Sequence, residues 1–315
     1  MDSFSFTRGD FPQGFVFGTA TSAYQIEGQT HGVAGKTHWD SFAATPGNVA
    51  RGENGAVACD HYHRYAEDLD LVAGASLDAY RFSANWSRVI PDGVGQVNSL
   101  GLDFYDRLVD EICARGLKPF LTLYHWELPS TLADRGGWAN NDIANWFADY
   151  SEVLLSRIGD RLHATAPINE PWCVAWLSHF MGLHAPGLRD IRAAARAMHH
   201  VLVAQARALE VIRKLGAGSP GVVFNFEYAE PADGNPETAQ ARNFYDAIYN
   251  RWFLEATCLG KYPEEALHFL EQWLPENWVQ DLDSIATPVD WYGVNYYTRK
   301  LLRTSKDVPL PAVED

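Results

Sequence analysis

The stretch HATAPINEPW, residues 163–172, ends a run of small and apolar side chains in Asn169 and Glu170, with a proline directly after. A carboxylate at the end of a buried strand is costly unless it is paired, protonated or put to use. Glu170 is therefore the strongest candidate acid or base in the chain, the alternative being a capping or ion-paired carboxylate. Bond cleavage by such a group usually calls for a second carboxylate. Glu227 is the other acid at a strand end, but it falls on the adjacent strand. Asn169 can donate to a hydroxyl. His125 and Trp126 arrive together, an imidazole that bonds a hydroxyl and an indole with an apolar face and one N–H, unless the pair is simply core. Gln25 and Glu27, separated by one residue, can form a polar clamp, or can be solvated loop residues. Neutral donors, aromatic faces and few cations suit a polyhydroxylated neutral ligand, a sugar, better than a phosphate or carboxylate.

These residues need a frame. Apolar, β-branched or aromatic runs at 14–21, 77–85, 118–125, 163–170, 221–228 and 289–298 read as six strands. Helical spacing separates them: Phe104, Leu108 and Ile112; Ile143, Phe147, Tyr150 and Leu154; Met198, Leu202, Leu209 and Ile212. Gly74, Gly116 and Gly216 stand just past three of these patterns, where a left-handed residue ends a helix. Strand and helix in alternation imply a parallel sheet clothed in helices. Polar residues gather at the C-terminal ends of the strands: Tyr24 and Gln25, Arg81 and Asn85, His125 and Trp126, Asn169 and Glu170, Asn225 and Glu227, Asn295 and Tyr297. In a (β/α) barrel that rim is where chemistry is done. An open doubly wound sheet would bind near a switch point, but no GxGxxG marks a dinucleotide.

No linker or low-complexity segment divides the 315 residues, so they read as one domain over 1–315. A net charge of −15 disfavours nucleic acid or an anionic membrane as partner. The sequence has no signal-like start and no apolar run near the roughly 18 residues of a membrane span, which places the protein in the cytoplasm. Four scattered cysteines without a CxxC pair fit reduced thiols and give no zinc signature, and no cofactor is expected. A metal-dependent hydrolase using His61 and His63 is a further reading, though both fall in a helix-like stretch after a loop.

FVFGTATSAYQIEG, HWDSF, YRFSANWSRVIPDG, LTLYHWELP, INEPW, GLHAPG, NRWFLEATCLGKYP and YGVNYYTR, in this order through residue 299, resemble the family 1 glycoside hydrolases, the retaining β-glucosidases. The resemblance implies a (β/α)8 TIM barrel of which this chain holds strands 1–6. It implies that Glu170 is the general acid/base and that Gln25, His125, Trp126, Asn169 and Asn295 hold the sugar hydroxyls. Arg81 and Tyr297 would support the nucleophile carboxylate. Thr165 and Pro167 stand where the family usually has Trp and Thr, and a proline in a central strand predicts irregular pairing close to Glu170. The family's nucleophile motif on strand seven is not in the sequence, so strands seven and eight are expected on a companion C-terminal segment and Asp315 is not expected to be the end of the fold. The chain alone is then expected to be inactive and its sheet open. A sugar-binding protein without catalysis is the alternative.

Overall fold

The structure, a computed structural model, describes residues 6–305 and the backbone of residues 313–314. The expectations attached to Asp315 and to the first five residues lie outside this range. Six strands, β1 (Gly18–Ala20), β2 (Ala79–Ser83), β3 (Lys118–Tyr124), β4 (Ala164–Ile168), β5 (Ser219–Pro231) and β6 (Trp291–Arg303), pair in sequence order, each parallel to the next. A two-residue strand, β7 (Val313–Glu314), pairs antiparallel with the far end of β6, an addition that the alternating sequence pattern does not foretell. Among the described residues β1 and β6 do not pair with each other, and the sheet is open.

Between β1 and β2 lie α1 (Ala23–Ile26), α2 (His38–Ala44) and α3 (His61–Gly74). Between β2 and β3 lie α4 (Trp86–Val89) and α5 (Ser99–Ala114), and between β3 and β4 lie α6 (Ser130–Asp134) and α7 (Ile143–Ile158). The long α8 (Ile191–Leu215) precedes β5, and α9 (Pro236–Asp246), α10 (Trp252–Leu259), α11 (Glu264–Leu270) and α12 (Trp278–Ile285) precede β6. The apolar stripes face inward as their spacing requires: Phe104, Leu108 and Ile112 on α5, Ile143, Phe147, Tyr150 and Leu154 on α7, and Met198, Leu202, Leu209 and Ile212 on α8 are all buried. Each such side chain contributes about 1.5–3 kcal/mol of transfer free energy. Among the described residues no helix is long and apolar enough to cross a membrane.

Helix ends follow side-chain chemistry. The Asp190 carboxylate caps α8 by accepting from the Arg192 and Ala193 amides, and Gly216 ends it at φ 62°. Gly116 likewise sits at φ 72° beyond α5. Gly74 departs from the expectation: it is the last residue of α3, and Ser76 takes the left-handed turn at φ 58°.

Two further departures bear on the site. The first strand is only three residues long, and β5 and β6 run to thirteen each, past the rim, with a register irregularity between Phe226 and Tyr228. Glu27 forms no clamp beside Gln25. It is buried and turned away, accepting from Arg88 Nε at 2.8 Å and from Tyr105 Oη at 2.9 Å. The Arg88 guanidinium also donates to the carbonyls of Gly28 and His31, so one buried cation fixes the segment after α1. A buried ion pair stripped of one partner leaves an uncompensated charge. Glu27→Gln is accordingly expected to lower unfolding free energy by about 3 kcal/mol or more in urea titrations; a loss below about 1 kcal/mol would show that water reaches Arg88.

Candidate active site

The site begins where β4 stops. Pro167 has no amide hydrogen, and the pairing around it is interrupted, as a proline there predicts. The β3–β4 ladder runs to Thr122↔Ala166 and resumes at Tyr124↔Ile168, while the β4–β5 ladder stops at Thr165↔Pro220 and returns as a single bridge, Asn169↔Val223. Beyond the gap the backbone is held again on both sides: the Asn169 amide donates to Tyr124 O and the Glu170 amide to Val223 O, each at 3.0 Å. Glu170 then turns to φ 50°, left-handed for a residue with a Cβ. Trp126, at the end of β3, is at φ 92°. Backbone strain of this kind persists only where surrounding bonds over-determine it, and it concentrates at functional sites.

Those bonds converge on Asn169. Its Oδ1 accepts from Arg81 Nη2 at 2.7 Å and from Asn295 Nδ2 at 3.3 Å. Its main-chain carbonyl accepts from Trp126 Nε1 at 2.8 Å, and its Nδ2 lies 3.4 Å from His125 Nε2. Arg81 Nε also donates to Thr122 Oγ1 at 3.0 Å, so one guanidinium spans β2, β3 and the end of β4. Glu170, 5% exposed, accepts from Asn295 Nδ2 through Oε1 at 2.6 Å and from the Cys173 thiol through Oε2 at 3.2 Å. Six of the residues singled out in the sequence, Arg81, His125, Trp126, Asn169, Glu170 and Asn295, thus form one hydrogen-bonded cluster at the C-terminal rim. Tyr297 lies at its open side, exposed. Its phenol is raised above its ordinary pKa by partial burial and by the Glu170 charge, and Arg81 opposes the shift. Gln25 stands on α1 with its Oε1 accepting from Ser22 at 2.7 Å; among the described residues no hydrogen bond joins it to the cluster. Glu227 faces elsewhere, accepting from Tyr245 Oη at 2.6 Å.

Cys173, Thr122, Trp39 and His184 were not singled out from the sequence as site residues. Cys173 reaches Glu170 from one turn further on, its amide bonded to the Glu170 carbonyl at 2.9 Å, and it opens a π-helical turn, Cys173–Leu177. Burial and the nearby Glu170 carboxylate push its thiol well up, so it remains a neutral donor. Thr122 is an ordinary inward strand residue until Arg81 finds it. Trp39 and His184, from the motifs HWDSF and GLHAPG, extend the aromatic wall: His184 lies 4.9 Å from Trp126 and 5.2 Å from Trp39, centroid to centroid. His61 and His63 do not act together. The buried His61 bonds Asp68 at 2.6 Å, and His63 bonds Asp60 at 2.7 Å.

A carboxyl held by neutral donors amid aromatic faces and amide groups is an arrangement able to hold a sugar and exchange a proton with it, and the chain can be compared with known proteins. The model of "Glycosyl hydrolase family 1" matches residues 7–312. The chain belongs to that family, and its six parallel strands are part of a (β/α)8 barrel. It is 46% identical over 302 residues to beta-glucosidase A of Thermotoga maritima, covering 95% of this chain and 68% of that protein. It is 44% identical over 318 residues to a beta-glucosidase of Agrobacterium sp., covering 97% and 69%. The solved structure of the Thermotoga maritima enzyme in complex with glucoimidazole superposes with a TM-score of 0.92 at 45% identity, covering 97% of this chain and 70% of that one.

Two buried groups beside the cluster are held in neutral form. Burial, with Arg81 adding to it, drops His125 to about 3, so its ring is uncharged across the working range. Next along the chain from Trp126, Glu127 is fully enclosed. Its Oε1 accepts from the Tyr24 amide at 2.7 Å, its Oε2 has no hydrogen-bond partner, and burial pushes it up to about 8. An unfolded glutamate ionises near 4.3. Between that value and about 8 the folded state keeps a proton that the unfolded state has lost, so stability is full below the window and falls as pH rises through it. Chemical denaturation at a series of pH values is expected to show this decline, and Glu127→Gln is expected to flatten it; an unchanged slope in the variant would assign the titration to another group.

Proposed function

We propose that the protein is the acid/base portion of a retaining β-glucosidase, hydrolysing terminal β-D-glucosyl residues by double displacement. The observation that carries the reading is Glu170 itself: a nearly buried carboxyl on a strained strand end, oriented by an amide and a thiol rather than by a cation. Protonated, it donates to the departing glycosidic oxygen; deprotonated, it takes a proton from the incoming water. Asn169, Asn295, His125, Trp126 and Gln25 hold the hydroxyls of the sugar, with the indole of Trp126 also offering an apolar face. Tyr297 and Arg81 support the nucleophile carboxylate, and the retaining course sets the two carboxyls about 5–5.5 Å apart. The chain's four thiols are free, which suits a reducing, cytoplasmic setting.

The nucleophile itself comes from a companion segment carrying two further strands. Glu227, committed to Tyr245, does not serve, and the exposed rows of β1 and β6 want partners. Tyr292, Val294, Tyr296 and Tyr297 on β6 are 48%, 62%, 56% and 79% exposed, which makes the part of that strand ahead of its pairing with β7 a sheet edge with an apolar and aromatic lining. Without those strands the chain does not turn over.

In the assembled enzyme Glu170→Gln is expected to cost roughly 10²–10⁴-fold on alkyl β-glucosides, which need acid help, and far less on dinitrophenyl β-glucoside in the glycosylation step. Equal losses on the two substrates would overturn the acid/base role. Denaturing mass spectrometry of an active sample is expected to reveal the additional strands, on a second polypeptide or a longer one; full turnover by the 315-residue chain by itself would refute the companion segment.

A further inference from the structure

Outside the hydrogen-bonded cluster around Asn169, the segment between α1 and α2 meets the start of α3, and three metal-ligating side chains come together there. His31 belongs to the first segment; Asp60 directly precedes α3 and His63 lies in its first turn. Asp60 Oδ1 lies 3.2 Å from His31 Nε2 and 2.7 Å from His63 Nδ1, and the two imidazole rings are 4.5 Å apart, centroid to centroid. All three ligand atoms fall within 4.8 Å of one another. His31 Nε2 is buried and makes no well-formed hydrogen bond. His63 is 56% exposed at its side chain, so the cluster is open to solvent on one side.

The surroundings hold this arrangement without filling it. His31 is fixed through its carbonyl by the buried Arg88, and its ring stacks on Tyr62 at 5.8 Å. A Cβ on Gly28 would come within 2.7 Å of the His31 ring, so only glycine leaves the imidazole room there. The neighbouring cation, Arg64, is engaged by Glu67 at 3.0 Å.

We propose that His31, Asp60 and His63 form a binding site for a divalent transition-metal ion of the zinc type, which clamps the segment after α1 to the N-terminus of α3. Two imidazole nitrogens and one carboxylate oxygen are a borderline-soft set that suits zinc, cobalt or nickel over magnesium or calcium. Tetrahedral zinc with bonds of about 2.0–2.1 Å needs its ligand atoms roughly 3.3 Å apart. The observed separations approach this closely enough for side-chain rotation to complete it, and water takes the fourth position. The site lies outside the sugar cluster, so it does not depend on the activity proposed above.

Titration calorimetry of tag-free protein with zinc chloride is expected to give one ion per chain at micromolar affinity, with no saturable heat from magnesium or calcium. Cobalt is expected to produce the visible bands of four- or five-coordination. Loss of an outer-shell partner alone costs 10–100-fold in a metal site, so His31→Gln and His63→Asn, substitutions that keep polarity and bulk, are each expected to weaken zinc at least tenfold. His268→Asn, at an exposed histidine elsewhere, is expected to leave it unchanged. Saturating zinc is expected to raise the thermal midpoint by a few degrees in the parent and in His268→Asn only. Zinc affinity insensitive to His31 and His63, or the absence of saturable binding, would overturn the site, whatever the outcome for hydrolysis.

Discussion

The arrangement of the rim depends on one carboxamide. Asn169 takes a guanidinium hydrogen bond from β2, an indole hydrogen bond onto its carbonyl from the end of β3, and an amide hydrogen bond from β6, while its own backbone bridges to β3 and β5. Five of the six parallel strands therefore meet at a single residue. Buried polar groups are costly unless they are satisfied, and Asn169 is where several of them satisfy one another. The position of Glu170, the next residue, follows from that closure.

Closure at this point is needed because the ladder beneath it is incomplete. Pro167 and Pro220 each lack an amide hydrogen, and the β4–β5 pairing lapses between Thr165↔Pro220 and the bridge at Asn169. A strand freed from its neighbour for several residues can turn out of the sheet, and the φ of 50° at Glu170 marks where it does so. The Trp126 indole, itself on a strained residue, bonds the carbonyl just before that turn. The two unusual conformations thus hold each other, and each would be expected to relax without its counterpart.

Much of this was legible in the residues. Helical spacing on α5, α7 and α8 named buried faces because burial, not intrinsic propensity, decides which stripe packs. The polar residues at strand ends named the rim, since a parallel strand in a barrel carries side chains inward and exposes only its C-terminal end to ligand. What was not legible required knowing a partner. Glu27 follows Gln25 by two positions, just past a four-residue helix, and buried partners far along the chain, Arg88 and Tyr105, turn it inward. Cys173 is defined by Glu170, and Thr122 by Arg81. The length of β5 and β6 came from their pairing with each other past the rim, which a window of local pattern does not contain.

The identity of the groups that touch Glu170 carries the remaining argument. A residue that serves as acid in one step and base in the next must be fixed in place while both of its protonation states stay accessible. A guanidinium bonded directly to a carboxylate favours the ionised form alone. Here Arg81 is spent on Thr122 and Asn169, and Glu170 is gripped by an amide and by a thiol that burial keeps protonated. Both are neutral donors, so the carboxyl is oriented without a direct cation contact. The cation stays close enough to be felt by Tyr297 and His125, and one hydrogen bond short of the Glu170 carboxyl.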